Sequence, residues 1–76
     1  MSDEEILDIA FENSYKVLIL DYDWEEIMSE THPFIAHNPA RSHASKEDVK
    51  RILNYFERTE QYRKCQSIQN YLTERL

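Results

Sequence analysis

Apolar positions in this chain recur at helical spacing, most clearly in its second half. Val49, Ile52, Leu53 and Phe56 follow i, i+3, i+4, i+7, with Glu47, Arg51, Asn54 and Arg58 on the opposite face, flanked by Lys46 and Lys50. Ser45 stands before this run as an N-cap, and Asp48 occupies the acidic position of a capping box. Glu47 and Arg51 form an i, i+4 pair in the favourable order, worth about 0.3 kcal/mol. A tight break near Thr59 and Glu60, with Thr59 as cap, folds the chain back as an αα-hairpin. The second helix of that hairpin turns Tyr62, Cys65, Ile68 and Leu72 inward, with Leu76 at its frayed end. Arg63, Ser67, Asn70 and Glu74 face water.

The first half is less regular. Ser2 with Glu5 three residues later reads as a capping box, and Asp3, Glu4 and Glu5 suit the positive end of a helix dipole. Ile6, Leu7, Ile9 and Ala10 give an apolar stripe that predicts a helix to about Glu12, with Asn13 and Ser14 breaking it or capping the next segment. The run from Tyr15 to Tyr22 is short and apolar, so periodicity leaves strand and helix open. No second strand candidate exists to pair with it, which favours helix. Asp23 is placed to cap a short third helix with Trp24, Ile27 and Met28 on one face and Glu25, Glu26, Ser29 and Glu30 on the other. Residues 31–45 form the main connection, where Pro33 and Pro39 each remove a backbone donor and favour extended geometry before them. Phe34 and Ile35 are expected to pack inward. The pattern predicts a single all-α domain over 1–76, a small bundle of four or five short helices with a C-terminal αα-hairpin.

Composition narrows the function more than the fold. The 76 residues contain no glycine. Phosphate-cradling loops and dinucleotide-binding turns depend on glycine, so both are excluded. The glycine-dependent hairpin turns of all-β folds are missing as well. The longest apolar run is Val17 to Leu20, far short of a membrane span, and the acidic start is unlike a secretory signal. The single cysteine, Cys65, leaves no internal disulfide and fits a reducing cytoplasm.

Charge divides the chain. Residues 1–30 carry ten acids and one base, Lys16. Residues 31–76 carry eight bases and five acids, and the whole has a formal net charge of −6. Such an asymmetry reads either as two solvated, mutually attractive surfaces or as binding faces. The basic half is the stronger candidate for chemistry. Lys46, Lys50, Arg51, Arg58, Arg63 and Lys64, with Arg41, lie within 24 residues. Helix geometry lines up Lys50, Arg51, Asn54 and Arg58 along one exposed side, the arrangement that phosphate contacts require. Tyr55 and Tyr71 are candidate stacking surfaces for unpaired bases. The competing reading is a solvated face with internal pairing, since Glu47, Glu57 and Glu60 dilute the field. The acidic half has two readings of its own, a docking surface for a basic partner or a solubility face. Trp24, Phe34, Tyr15 and Tyr22 are divided in the same way between core and exposed patch.

Other chemistries fit poorly. His32, His37 and His43 with Cys65 are the nearest approach to a metal set, but a structural zinc site draws its ligands in close pairs and only one cysteine exists. Asp21, Asp23 and Glu25 alternate as in a calcium loop without its glycine or distal bidentate glutamate. A nucleophile elbow needs glycines, so no catalytic constellation is expected, and no cofactor.

The stretch with Glu60, Tyr62, Cys65, Ile68 and Leu72 resembles the helical-hairpin motif of the UvrB/UvrC repair proteins, departing from it at Gln66, Gln69 and Asn70. The whole chain is similar to the small proteins encoded beside the UvsW recombination helicase of T4-like phages. The acidic start, Asp23-Trp24-Glu25-Glu26-Ile27, the His32-Pro33-Phe34-Ile35-Ala36 loop and the segment from Tyr62 to Cys65 carry that likeness. The resemblance implies a helical bundle like the accessory nucleic-acid-binding modules of RecQ-type helicases, acting near branched DNA in the host cytoplasm. The motor would belong to a neighbouring helicase, since this chain has no ATPase element. The resulting expectation is a non-enzymatic module binding single-stranded or branched DNA through Lys46, Lys50, Arg51, Asn54, Arg58, Arg63 and Lys64. The alternative is a protein adaptor, or an inhibitor, that docks a basic partner through the acidic half.

Overall fold

Four helices make up the fold: α1 (Asp3–Leu18), α2 (Trp24–Met28), α3 (Lys46–Arg58) and α4 (Tyr62–Arg75). The computed structural model describes residues 2–37 and 45–75, and among these there is no strand. No helix among them is long and apolar enough to cross a membrane. The expected all-α bundle is therefore observed, with α3 and α4 as its C-terminal αα-hairpin.

The caps follow the local chemistry. Ser2 Oγ accepts from Glu5 N at 3.2 Å and starts α1. Ser45 Oγ accepts from Asp48 N at 3.1 Å and starts α3. Asp23 sits at the N-cap of α2 in extended geometry, without a side-chain cap bond. Thr59 ends α3 rather than starting α4, and its hydroxyl donates back to Tyr55 O at 3.1 Å. Beyond it the chain closes a Schellman turn, with Gln61 N on Phe56 O at 2.9 Å and Glu60 N on Glu57 O at 3.1 Å. Glu60 takes φ 59°, the left-handed position where glycine is preferred. This glycine-free chain uses a glutamate there.

The break expected at Asn13 and Ser14 does not occur. α1 runs on through both residues to Leu18, which also settles residues 15–18 as helix. Phe11, Tyr15 and Leu18 continue the apolar spacing across the polar pair, and burial of that stripe outweighs the weak helix propensity of Asn and Ser. The two polar side chains are buried because they hold the connection that follows α2. Asn13 Nδ2 donates to Phe34 O at 3.0 Å and His32 O at 3.3 Å. Ser14 Oγ accepts from Ala36 N at 2.8 Å and lies 2.8 Å from His37 Nδ1.

The core joins α1, α3 and α4. Phe11, Tyr15, Val49, Ile52, Tyr55, Phe56, Cys65 and Ile68 form one buried cluster. Phe11 stacks on Tyr55 at 4.2 Å between centroids, while Tyr15 and Tyr55 each meet Phe56 edge-on. Four positions expected on apolar faces lie outside, Leu7 of α1 among them. Tyr62, the first residue of α4, is 66 % exposed, whereas Cys65 in the same turn is buried in the core. Of the apolar face read in α2, only Ile27 is buried, and Trp24 and Met28 are exposed. Five residues make little more than one helical turn, too short to lay all three side chains against α1.

Candidate nucleic-acid interface

Burial of Val49, Ile52 and Phe56 against α1 and α4 turns the polar side of α3 outward. Lys46, Lys50 and Asn54 lie at successive turns along that side, and Arg58 follows Asn54 by one more turn. All four are exposed. The Schellman turn then brings the exposed Arg63 into the first turn of α4. None of Lys46, Lys50, Arg58 and Arg63 enters an ion pair among the described residues. Glu47 and Glu57 share the exposed side of α3, and Glu60 sits at the turn. From the same end, α4 presents Gln66, Gln69, Asn70 and Thr73 to solvent, and Gln66 Nε2 donates to Asn70 Oδ1 at 3.1 Å.

Two of the expected binding cations have other employment. Arg51 Nη2 donates to Asp48 Oδ1 at 2.8 Å and to Ala36 O at 3.0 Å, so it ties α3 to the first half of the connection. The expected Glu47 to Arg51 pair is replaced by this i, i+3 pair, because Arg51 leans toward the Ala36 carbonyl and Asp48 lies on that side. Lys64 Nζ donates to Glu12 Oε2 at 2.6 Å and to Gln61 Oε1 at 2.9 Å. It also lies 5.1 Å from the Phe56 ring centroid and 5.6 Å from that of Tyr15. Lys64 thus bridges α4 to α1 with its charge beside the aromatic rings of the core. Arg41 and His43 lie outside the described residues.

The aromatic candidates are also redistributed. Tyr55 is buried against Phe11 and offers no face to a base. Tyr71 packs half-buried against the core. The exposed ring on this part of the surface is Tyr62, next to Arg63.

His32 and His37 lie in the connection. His32 stacks its ring on Phe34 at 5.9 Å between centroids. His37 is buried, and burial holds its pKa below the ordinary histidine value, with the Asp48 carboxylate partly opposing. Among the described residues no group of three or more His, Cys, Asp or Glu is gathered closely enough to hold a metal ion. Cys65 is buried in the core, where desolvation, and secondarily the Glu57 carboxylate, push its thiol pKa up.

Asn13 and Ser14, which the sequence suggested as a helix break or a cap for the next segment, are instead the buried polar residues that hold the connection. The available signal was the apolar spacing of Phe11, Tyr15 and Leu18, which carries the helix straight through them. Comparison with protein-family models, curated proteins and solved structures finds no match for this chain.

Proposed function

We propose that this chain is a non-enzymatic accessory module of phage DNA recombination, replication or repair that touches single-stranded or branched DNA. The contact runs along α3 and onto the start of α4. The observation that carries the reading is the exposed row of Lys46, Lys50, Asn54 and Arg58, continued by Arg63, whose cations are unpaired among the described residues. Cations at successive helical turns follow a phosphate backbone, and neighbouring amides and hydroxyls fix its register. Gln66, Gln69, Asn70 and Thr73 on α4 supply such groups, and Tyr62 supplies a ring for an unpaired base. The likeness to the small proteins encoded beside the UvsW helicase supplies the setting, in which a separate helicase is the motor. Arg51, exposed but bonded to Asp48 and Ala36, and Lys64, bonded to Glu12, are partly engaged within the chain, so the proposal rests on the other four cations.

Interleaved Glu47 and Glu57 and the net charge of −6 make this a weak, strongly salt-sensitive interaction. The test is a fluorescence-anisotropy titration of labelled single-stranded, duplex and forked DNA at several salt concentrations. Four phosphate contacts on a single strand correspond to a log–log salt slope of about −3. The variant Lys50→Glu/Arg58→Glu abolishes binding if the α3 row is the site. No binding at low salt, or equal binding by that variant, overturns the proposal.

A further inference from the structure

We propose that residues 20–28 form a docking face for a Lys/Arg-rich amphipathic helical segment of a partner protein. Among the described residues, the exposed large hydrophobics are Leu7, Leu20, Tyr22, Trp24, Met28 and Tyr62. Four of the six fall in this one stretch, at 38–49 % exposure. A domain this small has few apolar groups to spare, and it commits only Ile27 of α2 to its interior. Trp24 and Met28 are one helical turn apart and share a side of α2. The approach to α2 is held in shape. Tyr22 N donates to Lys16 O at 3.0 Å, and Lys16 Nζ sits 6.0 Å from the centre of the Tyr22 ring. A face already ordered in this way loses little conformational entropy when it binds.

Charge selects the occupant. Asp21, Asp23, Glu25, Glu26 and Glu30 interleave with the apolar groups, and no Lys or Arg occurs between Lys16 and Arg41. Asp23, Glu25, Glu26 and Glu30 enter no ion pair among the described residues. A nucleic acid or an anionic membrane is repelled here. A purely cationic chain leaves the tryptophan and methionine uncovered, and a purely apolar one strands the carboxylates. A helix with a leucine-type stripe bordered by lysines or arginines satisfies both, with aromatic anchors at the centre and acids at the rim. A second copy of this chain fits less well, because its cationic row on α3 is polar throughout.

Trp24 is the only tryptophan, so its emission reports on this face directly. The probes are three synthetic helical peptides: lysine and leucine at helical spacing, the same charge with serine replacing leucine, and glutamate with leucine. The lysine–leucine peptide is expected to shift Trp24 emission to the blue, saturably and less at high salt. The lysine–serine peptide is expected to bind at least about tenfold more weakly, and the glutamate–leucine peptide not at all. Met28→Ser and Glu25→Lys/Glu26→Lys, all surface changes, should each weaken the lysine–leucine peptide about tenfold while the helical circular dichroism stays unchanged. No blue shift at low salt, or equal affinity in both variants, overturns the proposal. So does a concentration-dependent dimer in sedimentation whose formation itself shifts Trp24, since the face then belongs to a second copy. Met28→Ser leaves the α3 row intact, so its DNA titration separates failure of this proposal from failure of the nucleic-acid reading.

Discussion

Ser14 offers a sharp test of how the connection is held. Its side chain is fully buried in α1, and one hydroxyl serves two groups of the connection. It accepts from Ala36 N and shares a hydrogen bond with His37 Nδ1, each at 2.8 Å. Ser14→Ala removes both bonds without a bulky cavity and strands a backbone N–H and a ring nitrogen. Each stranded group costs about 1–3 kcal/mol, and the better helix propensity of alanine returns at most about 0.5 kcal/mol. Some water reaches His37, which is 9 % exposed, so the expected net loss is about 2 kcal/mol. A 76-residue domain has a total stability of about 4–11 kcal/mol, so this loss is a large share. In urea unfolding followed by far-UV circular dichroism, the midpoint should fall by about 2 M for a slope near 1 kcal/mol/M. Ser67→Ala is the control, because that hydroxyl sits on α4 and bonds only Arg63 O. Hydrogen exchange at the Ala36 amide should accelerate more than exchange in the middle of α4. A midpoint equal to the control, or unchanged protection at Ala36, refutes the reasoning.

Other outcomes follow from the same structure. Glu60→Gly should stabilise the fold by about 0.5–1 kcal/mol in urea unfolding, because the left-handed C′ position penalises a Cβ, and destabilisation would refute the Schellman reading. His37 faces Ser14 on α1 and Asp48 on α3, with Arg51 bonded to Asp48, and burial lowers its pKa from 6.5. Below about pH 6.5 the unfolded chain binds a proton that the fold does not, so this contribution is complete above that pH. It declines as pH falls toward the lowered folded value, and wild type minus His37→Gln in urea midpoint from pH 7.5 to 5 should show that decline. Cys65, buried with a raised thiol pKa, should react with a thiol reagent slowly in the native protein and rapidly in denaturant, and prompt native labelling would refute its place in the core. Lys64→Glu should destabilise the fold far more than Lys50→Glu in thermal melts, since only Lys64 faces Glu12 and the Phe56 ring.

The sequence by itself determined the elements whose information is local. Serine caps at Ser2 and Ser45, the apolar spacing from Val49 to Phe56 and the spacing of Cys65, Ile68 and Leu72 specify helices whatever surrounds them. The division of charge between the two halves is equally a property of the chain alone. Tertiary structure decided the fate of individual polar and aromatic groups. Asn13 and Ser14 are poor helix formers in isolation; the buried stripe of Phe11, Tyr15 and Leu18 carries the helix through them, and the 32–37 segment supplies the partners that let their side chains be buried. Arg51 and Lys64 look like their exposed neighbours in the sequence. One is drawn to the Ala36 carbonyl and the other to Glu12 by elements far away along the chain. Tyr55 and Tyr62 differ for the same reason, since the one finds Phe11 across the core and the other, at the start of α4, stays exposed. Helical periodicity assigns a residue to a face. Whether that face meets water, a carboxylate or another helix depends on contacts between distant segments, which a local pattern does not encode.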